Sequence, residues 1–255
     1  MHHPPNPTPR TPAARATVHL LLVALAIAPA SGSAADLSLS LEPDALIPDA
    51  DASGFASVLH VPDGGTISDL DVSLDLIGAD HGAWNGDLFV LLSHAGSASV
   101  LVNRPGRTLT SVFGYGDNGF LDVTFDDSGE LGDFHSYQDA LGASGNSLTP
   151  ISGRWEPDGR AIDPFLVTDL QPRTAFLDTF NGQDASGDWI LFVADLSGGG
   201  RFRLEQWELH FSFDGNPQPV VPESTRGITL ACALTAAGAG YRSWRRRRTV
   251  GHPGA

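Results

Sequence analysis

Carboxylates are the side chains of this sequence that are best placed to do chemistry. Asp117 lies just before a predicted strand, and the adjacent pair Asp126 and Asp127 ends that strand. Calcium takes about six to eight oxygen ligands, often from several loops, so Asp117, Asp126 and Asp127 predict a calcium site. The alternative is that Asp126 and Asp127 cap a turn by accepting hydrogen bonds from backbone amides.

A second acidic run has the spacing of a calcium-binding loop but lacks one of its ligands. Asp49, Asp51, Ser53 and Gly54 match the first half of an EF-hand loop, in which oxygen-bearing side chains alternate before a glycine. The twelfth position of that loop requires a bidentate glutamate, and in this sequence it is His60. The run is therefore not predicted to be an EF-hand.

Combinations of residues that catalyse covalent chemistry are missing from the sequence. Residues 142–146 (GASGN) do not complete the Gly-x-Ser-x-Gly turn of serine hydrolases, because Asn146 replaces the last glycine. The single cysteine, Cys232, lies in an apolar tail, so the rest of the chain has neither a disulfide nor a reactive thiol. Five histidines are not at metal-ligand spacing from one another and are predicted to be surface or turn residues: His60, His81, His94, His135 and His210. We therefore predict that the chain is not an enzyme.

Tryptophans offer a different kind of candidate, a surface on which a ligand could stack. Trp189 and Trp207 lie in predicted strands and are expected in the core. Trp84 and Trp155 lie in predicted loops, so these two are the candidates for a ligand surface, with a surface polysaccharide as the ligand.

Strands with alternating polarity must position these side chains. In residues 66–77, leucine and valine alternate with aspartate and serine, which predicts a strand with one face in the core and one in water. Short apolar segments recur between turns at residues 56–61, 87–92, 99–102 and 120–125, and the second and third of these are expected to pair. Residues 180–211 predict two further strands, joined as a hairpin by the glycine turn at residues 197–200. The pattern predicts an all-β fold, a jelly-roll-like β-sandwich of about eight strands.

Negative charge is concentrated in the central part of the chain. The sequence has 255 residues, with 30 acidic residues and 15 basic residues, all of them arginine. Residues 36–222 hold 29 of the acidic residues but 7 of the arginines. Such a surface repels phosphate groups, which excludes nucleic acid as a partner. It is suited either to binding hard cations such as Ca²⁺ or to solubility in an extracellular or saline setting.

Both ends of the chain have the composition of targeting segments. Residues 1–35 combine arginines, a short apolar run and small residues before Asp36, which predicts a secretory signal peptide. A membrane anchor is the alternative, but the apolar run is too short to span a bilayer comfortably. Residues 215–226 predict a linker with a sorting motif, and residues 227–248 predict an apolar transmembrane or sorting helix with an arginine cluster. These arginines favour a tail that stops in the membrane with its end in the cytoplasm.

The C-terminal tail resembles a PEP-CTERM sorting signal in the order of its parts. Pro222 and Glu223 precede the apolar segment, although Ser224 replaces the proline that usually follows in that family. The resemblance implies processing at this motif by an exosortase, a membrane cysteine transpeptidase. A plain C-terminal membrane anchor is the alternative. The sorting signal predicts an exported protein at the cell surface or outside the cell, held in the membrane only until it is processed.

The central segment, residues 36–214, resembles the P domain (P/Homo B domain) that follows the subtilisin-like catalytic domain of proprotein convertases. The motifs that carry this resemblance occur in order along the segment: Ile47-Pro48-Asp49, Gly86-Asp87-Leu88, Leu101-Val102-Asn103-Arg104-Pro105-Gly106, Gly116-Asp117-Asn118, Thr124-Phe125-Asp126-Asp127 and Phe180-Asn181-Gly182. The loop at residues 78–83 departs from the family, which more often has a shorter link there.

The P-domain resemblance implies a module without catalytic residues. In proprotein convertases, P domains pack on the peptidase domain and stabilise it. We therefore predict an exported, non-catalytic module that binds or stabilises a partner at the cell surface or in the extracellular matrix. One alternative is an accessory module of a separate subtilisin-like serine endopeptidase. Another is a structural protein of the matrix. The partner stays open between a peptidase and a surface polysaccharide.

Overall fold

Ten β-strands form within the part of the chain that the computed structural model describes, which is residues 35–79, 83–144 and 147–214. The strands are β1 (Ala35–Leu41), β2 (Ala45–Leu46), β3 (Phe55–Val61), β4 (Ile67–Gly78), β5 (Leu88–His94), β6 (Ser97–Asn103), β7 (Gly119–Phe125), β8 (Ile151–Trp155), β9 (Gly187–Asp195) and β10 (Phe202–Phe213). Helical segments are short: α1 covers Tyr137–Leu141, and 3-10 turns cover Asn85–Asp87, Phe134–Ser136 and Leu177–Phe180. The prediction of an all-β fold is confirmed.

The strands form two sheets. The six-stranded sheet has the order β1-β10-β4-β7-β8, and β2 pairs with β10 beside the end of β1. The four-stranded sheet has the order β3-β9-β5-β6. All neighbouring strands are antiparallel except β7 and β8, which run parallel. The predicted pairing of the segments at residues 87–92 and 99–102 is confirmed as the pairing of β5 with β6.

Apolar side chains from both sheets form a shared core. The inward positions of β4 are at most 1% exposed, as the alternation predicted: Leu70, Val72, Leu74 and Leu76. Trp189 of the four-stranded sheet packs edge-on against Phe211 of the six-stranded sheet, with ring centroids 5.2 Å apart. The indole N–H of Trp207 in β10 donates to Ser57 Oγ in β3 at 2.9 Å, so a buried hydrogen bond also joins the two sheets.

The predicted hairpin between the last two strands is wrong. β9 lies between β3 and β5, and β10 lies between β1 and β4, so both strands already have a partner on each edge. The glycine turn therefore carries the chain from one sheet to the other. The predicted number of strands was also too low, because β1, β2 and β8 were not expected. β2 has two residues, and β8 contains a glycine and an arginine, so neither has a strong strand pattern.

The two predicted targeting segments lie outside the described residues. This applies to the signal peptide at residues 1–35, apart from Ala35 in β1, and to the linker, the sorting motif at Pro222 and Glu223, and the apolar helix. In the ranges that are described, helices are too short and too polar to cross a membrane.

Candidate functional site

Asp117, the first predicted calcium ligand, is a buried hydrogen-bond acceptor. It is 3% exposed, and its Oδ2 accepts from the Tyr137 hydroxyl and from Gln138 Nε2, both at 2.6 Å. Its Oδ1 accepts from the backbone amide of Ser147 at 2.8 Å. The Asp117 carboxylate thus fastens helix α1 and the segment at Ser147 to the end of the six-stranded sheet.

Asp126 and Asp127 also bind protein donors in this structure. Asp126 accepts from the amide of Ser128 at 2.8 Å and from Arg154 Nε at 2.6 Å. Burial opposes ionisation of Asp126, but the hydrogen bonds from Ser128 and Arg154 lower its pKa below the ordinary value. Asp127 accepts from the amides of Leu177 and Asp178 at 2.9 and 2.6 Å. These contacts are the turn-capping role that the sequence left open as the alternative.

The three predicted ligands therefore bind three separate sets of donors. Asp117 holds α1, Asp126 holds Ser128 and Arg154, and Asp127 holds the 3-10 turn that begins at Leu177. The residues whose positions are described include no group of three or more His, Cys, Asp or Glu side chains that could hold a metal ion. A calcium site at Asp117, Asp126 and Asp127 stays a prediction.

The two loop tryptophans differ in their surroundings. Trp155 ends strand β8 and is 0% exposed, so its predicted place in a loop and on a ligand surface is wrong. Its indole N–H donates to the carbonyl oxygen of Ser152 at 3.0 Å, and its ring packs edge-on against Phe134. Of the two tryptophans predicted to bind a polysaccharide, Trp84 is the one that stays a candidate, and it is half-buried.

His135 is the centre of a buried polar network. It was predicted as a surface or turn residue, and it does lie in a turn, but it is 1% exposed. Its Nδ1 lies 2.8 Å from Asp158 Oδ2, and its Nε2 lies 2.9 Å from the carbonyl oxygen of Arg107. Since both neighbours are acceptors, the doubly protonated ring satisfies both. Burial lowers the pKa of His135, but the hydrogen bond and charge of Asp158 outweigh it, so the net pKa lies above the ordinary value.

A consequence for stability with pH follows from the raised pKa of His135. Its stabilising contribution is complete below the ordinary histidine pKa of about 6.5 and is lost as pH rises through the higher pKa of the folded state. We expect His135→Gln to destabilise the protein more at about pH 6 than at about pH 9, as measured by urea unfolding. A difference between wild type and variant that stays constant over this range would contradict the charged form of His135.

Asp158 and Arg160 extend the network to the neighbouring loops. Asp158 is 0% exposed and also accepts from the amide of Asn103 at 3.2 Å. Arg160 donates to Asp158 at 3.3 Å and to Asp133 at 2.7 Å. These bonds fix the segments near residues 103–107, 133–135 and 156–160 against one another. They are a structural support for the loops at this end of the molecule.

Two of the supported loops present large apolar side chains to solvent. Arg107 joins them, because its Nη1 donates to the carbonyl oxygen of Pro164 at 2.7 Å and its own carbonyl accepts from the amide of Asp169 at 3.1 Å. We call the exposed side chains of these loops the apolar loop surface; they are Leu109, Val112, Phe113, Phe165, Leu166 and Leu170, between 50% and 73% exposed. Large exposed apolar surfaces often mark interaction sites, so these side chains are a candidate binding surface.

Sequence reasoning missed the apolar loop surface. Its side chains lie in segments without strand or helix periodicity, so no amphipathic pattern marked them. The available signal was the presence of phenylalanine and leucine in stretches that are otherwise rich in turn residues.

A shallow polar depression lies on the outer face of the six-stranded sheet. His210 in β10 has Nδ1 3.0 Å from Ser38 Oγ and Nε2 2.9 Å from Ser73 Oγ. Arg154 and the carboxylate of Asp71 lie beside them, 2.6 Å apart. A serine next to an imidazole can form a nucleophile and base pair.

The backbone around Ser73, which lies in strand β4, does not favour acyl transfer. An oxyanion needs amide groups that point at the reacting atom, and strand β4 is paired on both sides, with β10 and with β7. Its amides are therefore directed into the sheet ladders. The arrangement fits a hydrogen-bonded polar surface better than an active site.

Comparisons with known proteins give a limited likeness. No family model matches the chain, and no curated protein matches it. Among solved structures, the chain is similar to the serine protease of Aeromonas sobria, with 17% sequence identity and a TM-score of 0.39 over 71% of this chain and 27% of that one. It is also similar to the same protease solved as a complex with the chaperone ORF2, with 16% identity and a TM-score of 0.38 over the same shares. The chain thus spans about a quarter of the length of these structures.

Proposed function

We propose that this chain is an exported, non-catalytic module that docks on another protein through the apolar loop surface. The observation that carries the proposal is the exposure of six large apolar side chains on two loops that are hydrogen-bonded to each other. Burying a fully exposed apolar side chain contributes about 1.5–3 kcal/mol. These side chains are already partly covered, so each contributes less, but covering several of them in one interface is still a substantial driving force.

The support beneath the apolar loop surface makes it suitable for binding. His135 contacts the carbonyl oxygen of Arg107 in one loop and Arg160 donates to the carbonyl oxygen of Asp169 in the other, so the backbone of both loops is held before any partner arrives. A surface that is already ordered loses little conformational entropy on association. The exposed side chains therefore have the properties of a preformed docking site.

The partner that we propose is a separate subtilisin-like serine endopeptidase. The P-domain motifs of the sequence favour this choice, since P domains pack on such a peptidase within one chain. This chain would supply the same jelly-roll-like module from outside the peptidase. We further propose that the chain acts at the cell surface or outside the cell, after processing of the tail at Pro222 and Glu223 by an exosortase-type enzyme.

Direct binding tests this function. The purified chain is mixed with each purified subtilisin-like peptidase that the same cells secrete, and affinity is measured by calorimetry. We expect the double variant Phe113→Ser and Leu170→Ser, with one change in each loop, to weaken binding about tenfold or more. Leu121→Ser is the matched control, because Leu121 is 42% exposed but lies in strand β7, outside the apolar loop surface. We expect this control to bind like wild type.

Two results would overturn the docking proposal. The first is peptidase binding that is equally strong in the double variant and in wild type. The second is self-association of the chain through the same side chains without binding to any secreted peptidase. That outcome would favour the alternative of a structural matrix protein.

A further inference from the structure

The turn at residues 49–54 has the residue spacing, and at Gly54 the backbone conformation, of the first half of a calcium-binding loop. Asp49, Asp51 and Ser53 occupy its alternating oxygen positions, and Gly54 stands where such a loop needs a glycine for its sharp bend. Gly54 has a positive φ of 53°, and its amide donates to the carbonyl oxygen of Asp51 at 3.0 Å. A side chain at this position would collide with the carbonyl oxygen of Val193, so only glycine fits.

Tertiary structure brings the end of strand β9, and with it the acidic residue Asp195, to this turn. Asp195 ends strand β9, and its carbonyl oxygen accepts from the amide of Asp51 at 2.9 Å. The side chain of Asp195 is buried, with the residue 1% exposed, and its Oδ2 has no hydrogen-bond partner. A buried carboxylate oxygen without a partner is costly, and a bound cation would remove that cost.

Negative charge around Asp195 exceeds the positive charge that the protein supplies. Asp87 lies nearby and pairs with Arg104 at 3.1 Å. Burial, followed by the neighbouring carboxylates Asp87 and Asp49, raises the pKa of Asp195 to about 7. Arg104 is fixed by its Nε bond to the carbonyl oxygen of Gly86 at 2.8 Å, and it neutralises one carboxylate. A divalent cation would balance two of the carboxylates that remain.

We propose that Asp195, Asp87 and the turn containing Asp49 and Asp51 form a binding site for a divalent cation of the calcium type. Asp195 supplies in space the acidic ligand that the turn lacks at His60 in sequence. All the donors are oxygen atoms, which hard cations prefer, and calcium accepts irregular oxygen sites more readily than magnesium, which demands a near-ideal octahedron.

Binding at this site requires a local rearrangement. In the described part of the chain the acidic side chains are not grouped into a preformed metal cage, and Asp51 Oδ1 accepts from the amide of Ser53 at 2.9 Å. Asp49 and Asp51 are exposed, so their side chains can turn inward without disturbing the core. The backbone of Asp195 stays in place, because it pairs with Leu88 of β5 and its carbonyl oxygen accepts from the amide of Asp51. The site uses none of the side chains of the apolar loop surface, and it does not depend on the proposed docking function.

Calcium titration of the whole chain tests this site. Affinity is measured by calorimetry, and thermal melts are recorded with calcium and with excess EDTA. We expect wild type to bind one calcium ion and to melt several degrees higher with calcium than with EDTA. Asp195→Asn and Asp49→Asn should each weaken binding about tenfold or more. Asp49 is exposed, so Asp49→Asn is expected to fold normally. A loss of binding in this variant therefore cannot be caused by unfolding.

Asp127→Asn is the matched control, because it removes a carboxylate of the calcium site that the sequence predicted. It should bind calcium like wild type if the ion sits at Asp195. Binding that is lost in Asp127→Asn and retained in Asp195→Asn would overturn the proposal and place the ion at Asp117, Asp126 and Asp127. Absence of calcium binding to wild type, with identical melts in calcium and EDTA, would also overturn it.

Discussion

Replacing Asp158 with alanine is expected to lower the free energy of unfolding by about 3–5 kcal/mol. Asp158 is 0% exposed and accepts hydrogen bonds from His135, Arg160 and the backbone amide of Asn103. Removal of this carboxylate leaves the Arg160 guanidinium with one fewer counter-ion and leaves His135 without its acceptor, both in buried positions. An isolated buried charge costs far more than an exposed one, which is why the effect is large.

Urea unfolding followed by circular dichroism measures the effect of Asp158→Ala, and Asp188→Ala is its matched control. Asp188 pairs with His60 at 2.8 Å, the same distance that separates Asp158 from His135. The side chains of Asp188 and His60 are each 65% exposed, however. Exposed ion pairs contribute about 0–1 kcal/mol, so the control should unfold nearly like wild type. Equal losses of unfolding free energy in the two variants would show that the buried network stabilises the fold no more than an exposed ion pair does.

Replacing Trp189 with alanine is expected to cost about 3–5 kcal/mol, through lost burial and the cavity that it leaves. Trp189 is 0% exposed and contacts both sheets, because it belongs to β9 and packs against Phe211 of β10. Its ring also stacks on His94 at a centroid distance of 4.1 Å, and its indole N–H donates to the carbonyl oxygen of Ala185 at 2.8 Å. The variant loses all of these contacts at once.

The same urea experiment measures the loss for Trp189→Ala, with Leu166→Ala as the control. Leu166 is an apolar residue of the apolar loop surface and is 65% exposed, so its truncation should change stability by less than about 0.5 kcal/mol. A loss of less than about 1 kcal/mol in Trp189→Ala would mean that the core closes over the missing ring. That result would contradict its placement at the contact between the sheets.

The proposed cation site and the proposed docking surface use different residues. The first joins the turn at Asp49 to the end of β9, and the second lies on the loops that Arg107 connects. A failure of calcium binding would leave the docking proposal untouched, and the reverse also holds. The two proposals can therefore be tested on one preparation of the chain with separate variants.

Alternation along single strands was determined by the sequence. In β4 the leucines and valine fall on one face and the aspartates on the other, because side chains of an extended chain alternate with a period of two residues. The capping role of Asp126 and Asp127 was likewise visible as an alternative, because one of its contacts, with the amide of Ser128, is local. These features depend on residues that are close in the chain.

Contacts between distant segments were decided by the tertiary structure alone. The assignment of β9 and β10 to different sheets depends on partners that lie far away in sequence. A local hairpin pattern contains no information about those partners, which pair with both edges of each strand. The burial of Trp155 depends on the parallel pairing of β8 with β7, and the free oxygen of Asp195 depends on how the turn at Asp51 reaches the end of β9. The apolar loop surface has the same origin, since it combines two loops that are separate in sequence and that Arg107 connects. Composition and periodicity describe a chain locally, whereas burial and pairing are settled by the free energy of the whole fold.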